Sequence, residues 1–443
     1  MKKSEKLLTI LGDVDEKFVP EIDIRKKKNS KLPWLTVSGG ICAAAIIGFL
    51  VIHTLESRPP VADSPSNSSA STSTPSDTAT PPAREELTFG EILENYRIFP
   101  EYSLEAASDN LTAIPSRILT EGMGFEGYLA YDISQLDNAN PWSPELELEA
   151  LPVFKNLAFS DQYIPSYLTE EQMSKMVENA AFCLGVTIDS KETGYISGVL
   201  HSYTAICSGE NLGVEEVLID ISGRGDISIT FESGISLPEE YRFTRHTTGN
   251  EDALEILSYF AGQYQSLLQY EHPVSDTFAD RAYSGTETRT FEVFESSDDV
   301  VENLLNYHFR RANFAPDGNG DLWIIRLSDP LCAAECIGSY PIITAETAQA
   351  LLLEGEFITN VPTAYLENGT ISADAIKKTE LIYRCENIDA YYQPYYRFYV
   401  KLPSGGYADG SLADGLKEYG AFYVPAVSGE YLTDFTVWDG AFN

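Results

Sequence analysis

Carboxylates are the most abundant chemistry-bearing groups of this chain. Asp and Glu number 67 against 30 Lys and Arg, with five His and six Cys. Two carboxyl groups about 5–9 Å apart would suit glycosidase-type hydrolysis, but the sequence singles out no pair. Glu145, Glu147 and Glu149 alternate with Leu146 and Leu148, which on a strand puts the acids on one solvated face. Neither G-x-S-x-G nor S-x-x-K occurs, so no nucleophile is placed beside a base. H-E-x-x-H is missing and the five His are scattered. Asp317-Gly318-Asn319-Gly320-Asp321 opens like a calcium loop, yet Leu322 and Ser328 stand where that loop needs Gly and Glu. A turn entering a strand accounts for it better. No catalytic residue, cofactor or metal is expected from these patterns.

The aromatic residues are more distinctive. Ten Tyr lie between 383 and 431. In Pro394–Val400, Tyr395, Arg397 and Tyr399 face one way on a strand, and Tyr396, Phe398 and Val400 the other. One face can join a core. The other presents Tyr–Arg–Tyr outward as a candidate ligand face able to stack on sugar or peptide, with cross-strand aromatic packing as the alternative. Five cysteines follow residue 54: Cys183, Cys207, Cys332, Cys336 and Cys385. An odd number leaves at least one unbridged or paired between chains. Cys183 with Cys207, and Cys332 with Cys336, are the candidate disulfides in an oxidising compartment; buried thiols fit as well. Arg224-Gly225-Asp226 spells an adhesive tripeptide, but it sits where a hairpin needs a Gly turn.

The elements that must position these residues are mixed. Helical patterns cover 168–185, with Thr169 as cap and Gly185 as stop, then 250–268, 298–312 and 344–355. Strand-like stretches follow each: 195–207, 214–221 and 227–232; 288–295 and 321–328; and 377–385 with 393–402 as a pair. The fold class is α+β with antiparallel sheets, in which a helix followed by two strands recurs three times. At 443 residues the chain has room for two or three domains.

Charge divides the chain further. Residues 1–33 carry nine Lys/Arg and six acids, whereas 34–53 carry no charged residue. That run, Trp34 to His53, reaches about 30 Å as a helix, one bilayer core. Arg25–Lys28 and Lys31 precede it, so the positive-inside rule puts the N-terminus in the cytoplasm and the rest outside, with no cleavage expected. Residues 57–83 hold 12 Ser/Thr and six Pro among 27, the composition of a disordered stalk. The acidic body beyond argues against nucleic-acid binding. The expected organisation is a stub (1–33), a single-pass transmembrane signal-anchor helix (34–53), a stalk (54–84) and an ectodomain in two parts (85–270 and 271–443). Within the stub, Leu7, Leu11, Val14 and Phe18, with Leu8, form the apolar face of a short helix, a candidate surface for a cytosolic partner or the membrane.

The segment LLTILGDVDEKFVPEIDIRKKK, continuing into PWLTVSGGICAAAIIGFLVI, resembles an N-terminal module of uncharacterised single-pass membrane proteins in anaerobic Firmicutes. Some of these accompany extracytoplasmic-function sigma factors, which implies an anti-sigma-like or envelope-sensing role. The stub lacks the His/Cys motif of zinc-type anti-sigma proteins. The segments YPIITAETAQALLLEGEFITNVP, QPYYRFYVKLP and YGAFYVPAV resemble ectodomains of the same group and, more loosely, extracytoplasmic regulators of cell-wall histidine kinases. The resemblance carries over no catalytic residue. It implies a bacterial membrane-anchored, non-enzymatic binding or regulatory protein, with a protein partner on one or both sides of the membrane or a cell-wall ligand. A carboxylate-pair surface hydrolase and an adhesive display protein are the alternatives.

Overall fold

The computed structural model describes residues 86–106, 110–116, 126–160, 164–403 and 412–433. The stub with Leu7, Leu11, Val14 and Phe18, the apolar run and the Ser/Thr/Pro stretch lie outside these residues. Among the described residues no helix is long and apolar enough to cross a membrane. In chain order the elements are α1 (Phe89–Asn95), β1 (Gly127–Ala130), β2 (Ala150–Asn156), α2 (Glu170–Leu184), β3 (Thr187–Ile196), β4 (Val199–Ser208), β5 (Glu216–Ser222) and β6 (Ile227–Ile235). Then follow α3 (Asn250–Gln263), β7 (Pro273–Asp276), β8 (Ala279–Arg281), β9 (Glu287–Arg289), β10 (Glu292–Glu295), α4 (Val300–Phe309), β11 (Arg311–Pro316) and β12 (Leu322–Ser328). The last are β13 (Ala334–Pro341), α5 (Ala345–Glu354), β14 (Ile376–Tyr383), β15 (Tyr391–Tyr392), β16 (Pro394–Lys401) and β17 (Lys417–Pro425). The class is α+β, and the ladders joining these strands are antiparallel.

Local chemistry sets the helix ends. The Thr169 hydroxyl accepts from the Gln172 amide, the Gln172 side chain accepts from the Thr169 amide, and Gly185 closes α2 at φ +74°. At α5 the Thr344 hydroxyl accepts from the Thr347 amide, and Gly355 closes the helix at φ +91°. The helix expected over 250–268 breaks at Tyr264, where one more short turn follows. The one expected over 298–312 ends at Phe309, because Arg311–Pro316 pairs with β12 instead. The stretch 195–207, one strand by pattern, folds back at Ser197-Gly198. Both residues have positive φ, and β3 and β4 form a hairpin around them. Residues 145–149 are not a strand; a turn from Ser143 to Leu146 occupies that place.

The largest sheet has eight strands in the order β3-β4-β5-β6-β12-β11-β10-β7. It is built from two similar halves. In one, α2 is followed by β3 to β6, running from edge to centre. In the other, α3 is followed by β7, β10, β11 and β12, also from edge to centre, with the β8–β9 hairpin and α4 inserted. The halves meet where β6 pairs with β12. One face carries Ile219, Ile229, Ile325 and Phe314 in register and packs on Met173, Val177, Ile256 and Phe260 of α2 and α3. The unit that recurs is thus a helix with four strands, twice, rather than a helix with two strands, three times. The boundary at 270/271 needs the same correction. Strands from both sides of it share one sheet and one apolar core, and separating them would expose the Ile227–Leu327 and Ile229–Ile325 pairs.

The C-terminal half adds a four-stranded sheet, β1-β17-β16-β14, and a three-stranded one, β13-β2-β15. Strands β1 and β2, from early in the chain, are therefore built into the later layers. Leu151 and Phe154 of β2, Leu352 of α5, Phe398 of β16 and Phe422 of β17 form the second core.

Candidate functional site

The alternation read from Pro394–Val400 is real, and its consequence differs from the expectation. Tyr396, Phe398 and Val400 enter the second core. Tyr395, Arg397 and Tyr399 do share the opposite face, but that face is covered. Tyr395 is 2% and Tyr399 0% exposed. Tyr128 from β1 lies 5.1 Å, ring to ring, from Tyr399, and Phe278 packs edge-on against Tyr128. The proposed outward Tyr–Arg–Tyr ligand face is therefore an interior layer, because pairing of β1 with β17 brings residues 126–139 across it.

Within that layer the polar groups are matched. Glu380 on β14 stands opposite Arg397 in the ladder. Its Oε2 accepts from Arg397 Nη2 at 2.5 Å and from the Tyr399 hydroxyl at 2.9 Å. Its Oε1 meets Lys378 Nζ at 2.9 Å and Asn138 Nδ2 at 3.0 Å. Burial alone would raise the Glu380 pKa; the Arg397 and Lys378 charges hold it down to about 2. Arg397 Nη1 donates to the Tyr128 hydroxyl at 3.1 Å, which donates to Glu126 at 3.2 Å. Tyr423 donates to the same carboxylate, and Arg384 pairs with it at 3.3 Å. Burial pushes the pKa values of Tyr128, Tyr399 and Tyr423 upward. Glu380 and these three tyrosines stay in one protonation state across the neutral range, so the arrangement holds the layer together rather than moving protons.

A second cluster surrounds Arg224. The guanidinium grips Asp226 with Nε–Oδ2 at 2.9 Å and Nη2–Oδ1 at 3.1 Å, and Nη1 donates to the Cys385 carbonyl at 2.6 Å. Arg224 is 9% exposed, which removes the adhesive reading of the tripeptide. Nearby, Asp329 accepts from the Tyr102 hydroxyl at 3.0 Å and faces Arg310 at 3.7 Å. Its Oδ1 is buried without a hydrogen-bond partner among the described residues. Burial, opposed by Arg310, pushes the Asp329 pKa up to about 7. No motif signals Asp329; only the tertiary packing makes it unusual.

Neither expected disulfide forms. Cys183 and Cys207 line the first core, and Cys336 the second. Cys332 donates its thiol to the Arg224 carbonyl at 3.5 Å instead. Burial raises Cys207 to about 11 and Cys385 to about 12. Asp317 makes an Asx turn, its Oδ1 accepting from Asn319 and Asp321 amides at 2.7 and 2.9 Å, and β12 follows as expected. Among the described residues no group of three or more His, Cys, Asp or Glu is placed to hold a metal ion.

No protein-family model, no curated protein and no solved structure matches the chain.

Proposed function

We propose that the chain is a membrane-anchored, extracytoplasmic binding or regulatory protein of the bacterial envelope. The observation that carries this reading is the order of charge along the chain. A basic stub precedes 20 uncharged residues, then a Ser/Thr/Pro stretch and a folded body that together hold 61 acids against 21 bases. In this reading the stub stays in the cytoplasm, residues 34–53 span the bilayer, and the α+β body works outside. The stub face of Leu7, Leu11, Val14 and Phe18 would meet a cytosolic partner, in an anti-sigma-like or kinase-regulating manner.

Protease treatment of intact spheroplasts tests the orientation. The expected result is loss of the body, with a membrane-retained fragment of about the first 60–85 residues, the span up to the Ser/Thr/Pro stretch. Full protection of the body in intact spheroplasts, with digestion only after lysis, would overturn it.

One observation favours the hydrolase reading. Asp226 is held low by Arg224 against its burial, while Asp329 beside it is raised, a division of pKa values that suits base and acid. Asp329 is 3% exposed and screened by Tyr102 and Arg310, which places it in the interior rather than a cleft.

A further inference from the structure

Residues 355–375 join α5 to β14 through three single turns of 3-10 helix. Connections of this length without regular structure are commonly functional. Here the backbone is fixed. Ile358 and Tyr423 exchange two backbone hydrogen bonds, each of 2.8 Å. The Thr359 hydroxyl donates to the Ala421 carbonyl at 2.7 Å, and the Asn360 side chain accepts from the Glu126 amide at 2.8 Å. Yet the loop does not fill the space it encloses. A cavity of about 280 Å³ remains between it and the end of α5. Leu352 and Val361, each 1% exposed, line its buried side. Half-buried Phe357, Leu366 and Ile371 continue the wall, and Leu353 carries it outward to solvent. Packed proteins leave few such gaps. The volume is at the small end for ligand sites, and suits a side chain or a short alkyl chain.

The charge around the cavity has one sign. Glu354 lines it, and no Lys, Arg or His does among the described residues. From Thr344 to Ile376 the sequence holds five acids and no base. The first base beyond, Lys377, is engaged by the Asp374 carbonyl at 2.5 Å. The carboxyl end of α5 is itself part of the wall, through residues 352–355, and that end of a helix carries partial negative charge. An apolar hollow with a negative mouth complements an alkylammonium group, whose methylenes can be buried while the charge stays near water.

We infer that this cavity binds an alkylammonium group, carried by a basic side chain or by a free amine. The methylenes lie against Leu352, Val361 and Ile371, and the ammonium group meets Glu354 and the end of α5. The inference rests on the binding reading above and gives that reading a ligand chemistry.

Isothermal titration of the full-length protein in neutral detergent tests it. The probes are Nα-acetyl-lysinamide, n-butylamine and Nα-acetyl-norleucinamide, which keeps the butyl chain without the charge. Saturable binding of at least one ammonium probe is expected, at least fivefold tighter than that of the norleucine compound. E354Q should weaken it at least fivefold. T370W, which puts a bulky ring on an exposed residue of the lining, should weaken it at least tenfold. E171Q is the control, on the exposed surface of α2, and should stay within twofold. Binding of the lysine compound alone points to a peptide side chain, and of butylamine alone to a free amine; both support the site. If T370W does not fold, E354Q, on the exposed end of α5, carries the comparison. Absence of saturable binding of both ammonium probes, equal binding of the norleucine compound, or equal weakening by E171Q overturns the site. Neither outcome depends on membrane orientation, so this test and the protease test fail separately.

Discussion

Arg397 and Tyr399 share one carboxylate oxygen. Both donate to Oε2 of Glu380, and the Arg397 guanidinium lies 5.1 Å from the centre of the Tyr399 ring. Removing Glu380 therefore strands Arg397 without its carboxylate inside a covered layer. E380A should cost about 3–5 kcal/mol of folding stability, the usual penalty for breaking a buried ion pair from one side. Urea unfolding of wild type and variant measures it, and a loss below about 1 kcal/mol would contradict the matched network.

The turn at 222–226 gives a backbone prediction. Gly225 has φ +103°, and a β-carbon there would come within 2.6 Å of the Cys332 sulfur. G225A should lower stability by about 2 kcal/mol or more, from strain and overpacking together. An unchanged unfolding midpoint would show that the turn is not held against Cys332.

Asp329 predicts a pH dependence. Its carboxyl is raised to about 7 in the fold against an ordinary value of 3.8. Between those values the folded state binds the proton and the unfolded chain does not. Stability from this group is therefore full below pH 3.8 and is lost as pH rises through about 7, at up to about 1.4 kcal/mol per pH unit. D329N should flatten the stability profile between pH 4 and 7. A D329N profile parallel to wild type would assign that slope elsewhere.

The thiols should be silent in the native state. Maleimide without reductant should leave Cys207, Cys332 and Cys336 unmodified in native buffer, because all three are buried. In denaturant each should react fully without prior reduction. A need for reductant before labelling would restore the disulfides.

Much of the architecture of the α+β body is legible in the residues. Thr169 with Gly185 and Thr344 with Gly355 mark two helices at their ends, and the period of two in Pro394–Val400 separates its faces correctly. Pairing partners are not legible. That Glu380 opposes Arg397, that β1 lies on β17, and that β6 meets β12 are long-range facts with no local signal. For that reason the Tyr–Arg–Tyr face reads as open when residues 126–139 cover it. Asp329 escapes for the same reason: it is distinguished by its burial and by which charges stand near it in space. Cys183 and Cys207 show the converse, since their spacing permits a bridge but does not require it.

In-cell crosslinking of the full-length protein, followed by mass spectrometry of the joined peptides, tests the central claim most directly. The account predicts that lysines 2–31 join to cytosolic or inner-leaflet partners, and lysines beyond residue 84 to envelope components. Crosslinks from the body to cytosolic proteins would contradict an anchored, outward-facing protein.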